Sequence, residues 1–275
     1  MSEMQVKPLA PLEFTGERMM PEHAALQSVW EHIYRYRFAS QHVPGRDVLD
    51  VACGEGYGSA SLLKAGARSV IGVDVDPATC EYARQKYGID ARQGNATALP
   101  FAADSFDLVV SFETIEHVAE PTRFLDECAR VLKRGGHLVI STPNVKAYNP
   151  TNDPNHNPFH CSEMTESEFL SAVGQRFSSI RRYSQLPAAA RNWSPRSLRL
   201  IHTPWEKVKG FWRLQVKCRA RRHDVEHEVR NDPVSEILRP ESWVSRMVNP
   251  YVVTPRSKWS GEQPTYLVCV AKSAK

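Results

Sequence analysis

Two short segments of this 275-residue chain carry residue types that can do chemistry. The first runs from Asp50 to Gly58 and places three glycines at alternate positions directly after an apolar run. Closely spaced glycines let backbone N–H groups and a helix N-terminus approach a ligand without side-chain obstruction. The second runs from Glu113 to His117 and holds two carboxylates and an imidazole at positions i, i+3 and i+4, which share one face of a helical turn. These segments predict a nucleotide site beside a polar, cation-binding cluster.

A further imidazole, His160, lies in the loop that precedes Thr165. This loop leaves the fifth predicted strand, so it reaches the sheet edge where ligands of open α/β folds bind. Two oxygen and two nitrogen donors suit Mg²⁺ or Mn²⁺ and leave two octahedral positions for neighbouring substrate hydroxyls. The predicted catalytic and metal-ligating residues are therefore Glu113, Glu116, His117 and His160. The alternative is a hydrogen-bonded polar face on which His117 or His160 acts as an unaided base.

The elements around these segments alternate between short apolar runs and helical stretches, which is typical of a parallel sheet with crossover helices. Strands are predicted at 48–51, 69–73, 91–93, 106–111, 138–141, 180–183 and 265–271. Helices are predicted after Gly58, from Pro77, over 124–132 with Gly135-Gly136 as the stop signal, and from Glu166 behind a capping box. The fold class is therefore α/β: a Rossmann-like seven-stranded sheet with helices on both faces.

The segment from Val48 to Gly58 resembles the first motif of class I S-adenosylmethionine-dependent methyltransferases. Its Gly-x-Gly-x-Gly spacing differs from the Gly-x-Gly-x-x-Gly of NAD and FAD sites. Further segments match in the family's order at 70–74, 94–101, 106–110 and 130–144, and the resemblance extends from Asp47 to about Tyr183. It implies the class I methyltransferase sheet and S-adenosylmethionine as the cofactor.

Carried over residue by residue, the resemblance implies that the three glycines wrap the methionine part of the cofactor and that Asp74 binds the ribose. Asn95, with the Ala96 N–H, would bind adenine; many relatives have Asp at this position, but an amide oxygen can still accept from the adenine amino group. Arg35 is expected to pair with the cofactor carboxylate, with a surface salt bridge as the alternative. The predicted cofactor-binding residues are Arg35, Asp50, Ala52, Gly54, Gly56, Gly58, Asp74, Val75, Asn95, Ala96 and Phe112.

The Glu-x-x-Glu-His pattern and the later histidine resemble the metal site of small-RNA 3′-terminal 2′-O-methyltransferases. The first three of these residues also resemble the ligands of ubiquinone-biosynthesis O-methyltransferases, whose substrates are catechols. Both groups methylate one of two neighbouring hydroxyls. An N-terminal segment that includes Phe14 to Met19 resembles the arm of bacterial methyltransferases associated with sugar or polysaccharide biosynthesis.

The domain prediction has four parts: an N-terminal arm over the cofactor at 1–46, the core at 47–186, an inserted cap or substrate-recognition region at 187–262, and the final strand at 263–275. Ten Lys or Arg residues against one acid between Arg191 and Arg222 suggest an anionic group or nucleic acid as a partner of this cap. Six scattered cysteines without a Cys-x-x-Cys pair argue against a zinc or dithiol centre. The absence of a long apolar run or signal segment predicts a soluble cytoplasmic protein.

Together these features predict an O-methyltransferase that uses S-adenosylmethionine and a divalent cation, Mg²⁺ or Mn²⁺, to methylate a vicinal diol on a sugar or glycosylated small molecule. The alternatives are a catechol, quinol or RNA 3′ end as the acceptor, or a metal-independent enzyme. A cofactor-binding scaffold without turnover is the non-enzyme alternative.

Overall fold

The structure is a computed structural model that describes residues 12–151, 153, 156–185, 233–238, 253–255 and 264–275. Most of the predicted cap, including its basic stretch, lies outside these residues. The strands are β1 Asp47–Val51, β2 Ser69–Asp74, β3 Asp90–Gln93, β4 Phe106–Phe112, β5 Leu132–Pro143, β6 Phe177–Gln185, β7 Thr254–Pro255 and β8 Tyr266–Ser273. The helices are α1 Leu26–Ser40, α2 Tyr57–Lys64, α3 Pro77–Tyr87, α4 Pro121–Val131, α5 Val145–Tyr148, α6 Glu166–Gly174 and α7 Pro233–Leu238, with a 3₁₀ turn at Ile115–His117.

All eight strands form one sheet in the order β3-β2-β1-β4-β5-β8-β6-β7. The first five strands of this order pair in parallel, whereas β8 runs antiparallel to both β5 and β6. The seven predicted strands are therefore all present, and the predicted fold class is confirmed. The two-residue β7 is an addition at the β6 edge.

The central strands are buried on both faces, as expected for a parallel sheet covered by helices. Along β4, Leu108 and Val110 pack into the core cluster that includes α1, α2 and α7, whereas Val109 packs into the opposite cluster with α4 and α6. This alternation follows from the period of two in a strand. No helix among the described residues is long and apolar enough to cross a membrane.

Side chains cap the starts of α3 and α6, and the α6 cap is the one that the sequence predicts. The Asp76 carboxylate accepts from the Ala78 N–H at 2.9 Å and so begins α3. At α6, the Thr165 hydroxyl and the Glu168 carboxylate complete the expected capping box.

The prediction that Gly135-Gly136 ends the helix before β5 is wrong. Helix α4 ends at Val131, and β5 begins at Leu132, so both glycines lie within the strand. The β4–β5 register shifts between Phe106 and Leu108, and Gly135 has a φ of +73°. A glycine with positive φ suits a strand irregularity as well as a helix end, and here tertiary pairing selects the strand.

Candidate active site

A cavity of about 330 Å³ opens at the carboxyl ends of β1, β2 and β4. The turn after β1 contributes Ala52, Cys53 and Gly54, and the end of β4 contributes Phe112. The Cys53 N–H donates to the Val73 carbonyl at 2.9 Å, which joins this turn to β2. The cavity therefore lies where the sequence predicts the nucleotide site. Its other walls come from the loops after β2, β3 and β4 and from α1 and the arm before it.

The three glycines of the turn have different roles. Gly54 lines the cavity, but Gly56 and Gly58 do not. A Cβ at Gly56, which has a φ of +93°, would lie 2.7 Å from the Ala83 side chain, and a Cβ at Gly58 would lie 2.0 Å from the Tyr36 ring. Packing of α2 against its neighbours therefore requires both glycines.

Asp74, at the end of β2, is held in place to present its carboxylate to the cavity. Its two oxygens accept from the Gly54 N–H at 2.9 Å and from the Asp76 N–H at 3.1 Å. A carboxylate has about four acceptor sites, so each oxygen keeps capacity for one ligand hydroxyl. Burial raises the pKa of Asp74, while these two N–H bonds lower it.

Val75, Asn95 and Ala96 form the next part of the wall. The Val75 side chain is 69% exposed, which is unusual for its type and leaves an apolar surface toward the cavity. The Asn95 amide oxygen accepts from the Thr97 N–H and hydroxyl, both at 2.9 Å. The amide NH₂ is therefore the group that Asn95 offers to a base. This geometry replaces the expectation that the oxygen accepts from an adenine amino group.

Asp50 lies behind the turn rather than in the cavity wall, and it is fully buried. It accepts from the Ser59 hydroxyl at 2.6 Å and from the Tyr36 hydroxyl at 3.2 Å. Burial raises its pKa to about 7, although the two hydroxyl bonds oppose that rise. Asp50 thus ties α1 and α2 to β1, and its contact with a ligand is indirect, through Tyr36.

A second cavity of about 270 Å³ adjoins the first. The two cavities share six lining residues: Glu17, Arg18, Met19, His32, Glu113 and His117. The arm before α1 spans this shared wall, and Arg18 fixes it by pairing with Asp76 at 2.6 Å. The two cavities therefore meet along one wall at the carboxyl edge of the sheet.

Three of the four predicted metal ligands converge in the second cavity. Ligand atoms of Glu116, His117 and His160 all lie within 4.8 Å of one another. The backbone holds them together, because the Cys161 and Ser162 N–H groups donate to the Glu116 carbonyl at 2.7 and 3.0 Å. The loop that carries His160 is thereby attached to the turn after β4.

Glu113 lies beside this group rather than in it. It has a φ of +52°, and the 3₁₀ turn begins only at Ile115, so Glu113 does not share the helical face of Glu116 and His117. Its Oε1 accepts from the Ser141 hydroxyl at 2.6 Å. A positive φ in a non-glycine residue is strained, and such strain is concentrated at functional sites.

The hydrogen bonds within the cluster leave one lone-pair atom free on His117 and one on Glu116. The His117 Nδ1 contacts the Phe159 carbonyl at 3.0 Å, so Nδ1 carries the hydrogen and Nε2 keeps its lone pair. Glu116 is 1% exposed; its Oε2 accepts from Thr142 at 3.1 Å, but its Oε1 has no hydrogen-bond partner among the residues that the structure describes. Burial, followed by the nearby Glu113 charge, raises the pKa of Glu116 well above its ordinary value.

The structure places Arg35 in the wall of the second cavity, and it does not line the first. Its side chain is buried, donates to the Gln185 amide oxygen at 2.7 Å and lies over the Tyr266 ring at 4.3 Å. Glu113 and Glu31 provide its nearest opposing charges. Arg35 is therefore not part of a surface salt bridge, and it does not line the cavity at which the sequence predicts the cofactor.

Neither His32 nor Tyr36 was predicted from the sequence as a site residue. Both line the first cavity from α1, and His32 also lines the second. The His32 Nδ1 lies 3.2 Å from the Tyr57 hydroxyl, and burial and the nearby Arg35 charge lower the pKa of His32. The i, i+4 spacing of His32 and Tyr36 was the available signal in the sequence, because it places both rings on one helix face.

A sheet of this order, a glycine turn after the first strand and an acid at the end of the second define a class I methyltransferase fold. Residues 49–140 match the methyltransferase domain family. A Mycolicibacterium smegmatis protein named "Probable S-adenosylmethionine-dependent methyltransferase" is 42% identical over 165 residues, which are 59% of this chain and 63% of that protein. A ubiquinone biosynthesis O-methyltransferase of Parvibaculum lavamentivorans is 39% identical over 100 residues, or 35% of this chain and 40% of that enzyme.

A solved SAM-dependent methyltransferase structure from Thermotoga maritima matches with a TM-score of 0.53 at 17% identity. The match covers 90% of this chain and 94% of the Thermotoga maritima chain. The chain spans less than two thirds of the length of the curated relatives that it matches. The fold is that of the class I S-adenosylmethionine-dependent methyltransferases, and residues 49–140 are similar in sequence to the methyltransferase domain.

Proposed function

We propose that the chain is an S-adenosylmethionine-dependent O-methyltransferase that acts on one of two neighbouring hydroxyls of a polyhydroxylated small molecule, with a divalent cation at Glu116, His117 and His160. The observation that carries this proposal is the donor cluster beside the wall that the two cavities share. It lies at the acceptor side of the cofactor cavity, where a methyl group would be transferred.

The residues present fit both groups. The first cavity offers the prearranged Asp74 carboxylate for two ribose hydroxyls and the exposed Val75 surface for a base. In the second cavity, Glu116 Oε1 has no hydrogen-bond partner among the described residues, and a cation would satisfy this buried acceptor. Carboxylate oxygens and imidazole nitrogens are donors that Mn²⁺ and Mg²⁺ sites use, so these ions suit the site better than a thiolate-preferring metal.

In the proposed reaction, the acceptor oxygen forms a bond to the methyl carbon while the methyl–sulfur bond breaks, and the bond's electron pair stays on sulfur. When bound, a divalent cation lowers the pKa of an adjacent hydroxyl and orients it. His32 lines both cavities, and its lowered pKa keeps the imidazole neutral at pH 7, so it can accept the hydroxyl proton. Arm residues 17–19 form part of the wall that the two cavities share.

The acceptor class is proposed from the same geometry. Three carboxylates and two guanidinium groups line the second cavity: Glu17, Glu113 and Glu116 with Arg18 and Arg35. A cation held by Glu116, His117 and His160 would leave coordination positions for two neighbouring hydroxyls, which favours an acceptor with several hydroxyls. A catechol is the second candidate, because the chain is similar to a ubiquinone biosynthesis O-methyltransferase over 100 residues and Tyr148 and Tyr266 line the cavity.

The decisive test measures S-adenosylhomocysteine binding and methyl transfer on one chelator-treated preparation, using a methyl glycoside, a catechol and a short RNA with a free 3′ end as acceptors. We expect cofactor binding to survive chelation, transfer to stop, and Mg²⁺ or Mn²⁺ to restore it. Glu116→Gln should abolish the metal response, whereas the exposed Glu81→Gln on α3 should behave as wild type. Full turnover without metal would contradict the metal role, and transfer only to RNA would contradict the small-molecule acceptor.

A further inference from the structure

A partly buried carboxylate outside the predicted site, Glu163, contacts His160, the ligand contributed by the loop after β5. The Glu163 Oε1 lies 3.0 Å from the His160 Nδ1, and their side chains are 19% and 6% exposed. Glu163 is not among the residues that line either cavity. Its contact is therefore with the imidazole and not with a ligand.

This contact determines which nitrogen of His160 is available. A carboxylate oxygen accepts, so the hydrogen of the Glu163 bond belongs to His160 Nδ1, and the lone pair is left on Nε2. The same state is enforced on His117 by the Phe159 carbonyl. The two rings lie edge to face, with centroids 4.9 Å apart, and both have Nδ1 engaged outside the cluster.

A hydrogen bond to its other oxygen fixes Glu163 in turn. The Asn149 amide NH₂ donates to the Glu163 Oε2 at 3.1 Å and to the Asp153 carbonyl at 2.9 Å. The Tyr148 ring stacks on His160, with centroids 5.3 Å apart and planes 29° from parallel. The His160 ring is thus held in orientation by a hydrogen bond and by stacking before any ligand arrives.

We propose that Glu163 is a positioning residue that fixes the tautomer and orientation of His160, so that Nε2 is presented to a divalent cation together with Glu116 and His117. The inference rests on the proposed metal site. Hydrogen-bond partners of this kind orient metal-binding histidines and raise their basicity, and their removal costs about 10- to 100-fold in metal affinity. Glu163→Ala should therefore weaken Mn²⁺ binding by about that factor, while Glu163→Gln, which keeps an acceptor oxygen, should recover most of it.

The test uses the full chain, titrated with Mn²⁺ alone and followed by electron paramagnetic resonance and calorimetry. Histidine ¹H–¹⁵N spectra without metal give a second readout that does not depend on the ion. In wild type we expect His160 to show the Nδ1–H tautomer, and in Glu163→Ala we expect a mixture of tautomers. Glu81→Gln serves as the surface control, and S-adenosylhomocysteine affinity confirms that each variant is folded.

The outcomes separate this inference from the metal proposal. If wild type fails to bind Mn²⁺ but its His160 tautomer depends on Glu163, the metal site is lost and the positioning role stands. If wild type binds Mn²⁺ and Glu163→Ala binds it equally well with an unchanged His160 spectrum, the positioning role is refuted. A loss that Glu163→Gln does not rescue would also overturn it, because a hydrogen-bond acceptor would then be insufficient.

Discussion

Replacing Gly58 with alanine distinguishes a glycine required by packing from one required by the cofactor. The added Cβ would lie 2.0, 2.3 and 2.5 Å from three carbons of the Tyr36 ring, where ordinary contacts begin near 3.4 Å. The ring would have to retreat by about 1.4 Å. Because Tyr36 is buried and donates to Asp50, that movement would disturb both the core and the hydrogen bond.

The expected magnitude comes from three contributions. Overpacking costs about 1–3 kcal/mol, a disturbed hydrogen bond costs about 1 kcal/mol, and alanine in a helix returns about 1 kcal/mol. The net loss is therefore about 2 kcal/mol, or about 4–8 °C in Tm for a chain of this size. Cofactor affinity should fall as well, because Tyr36 lines the cavity.

Thermal unfolding and S-adenosylhomocysteine titration measure the two effects. Gly174→Ala is the matched control, because its Cβ would meet Ile180 at an ordinary 3.6 Å and should leave Tm unchanged or slightly higher. In a Tyr36→Leu background, Gly58→Ala should cost much less, since the clashing ring atoms are absent. If Gly58→Ala keeps its Tm and loses only cofactor affinity, the packing explanation is refuted.

Three further perturbations test the site and the fold. Folding raises the pKa of Asp50 from 3.8 to about 7, so its contribution to stability is complete below pH 3.8 and is lost as the pH rises through 7. The loss amounts to up to about 4 kcal/mol. Asp50→Asn should therefore flatten the pH dependence of the free energy of unfolding measured from pH 4 to 8. Asp74→Ala should weaken S-adenosylhomocysteine about 100-fold by calorimetry, through loss of charged hydrogen bonds; an unchanged affinity would remove Asp74 from the ribose site. Thr165→Ala should destabilise the chain by about 1 kcal/mol through loss of the α6 cap, without changing cofactor affinity.

The local parts of the fold were predictable from sequence because their causes are local. The alternation of short strand-like runs with helical stretches located all strands of the sheet except the two-residue β7, and the Thr165 capping box located the start of α6. Gly135-Gly136 was misassigned because two glycines only permit unusual backbone angles and do not specify the element in which they lie. The pairing of β5 with β4 on either side of the glycines, Phe106 with Leu132 and Leu108 with His137, decided that segment, and it joins residues far apart in the chain.

For the site, the sequence located the glycine turn and the acid at the end of β2, because each lies where a strand ends at a shared sheet edge. It also predicted a cluster of Glu113, Glu116, His117 and His160, of which the structure brings the last three together. Only the tertiary structure decided which residues of α1 face each cavity, since that depends on how the helix crosses this edge. It placed Arg35 in the wall of the second cavity and His32 in the wall that the two cavities share. It also decided that Gly58 accommodates a buried ring, because the contact is with Tyr36 on another helix, and no local pattern encodes that distance.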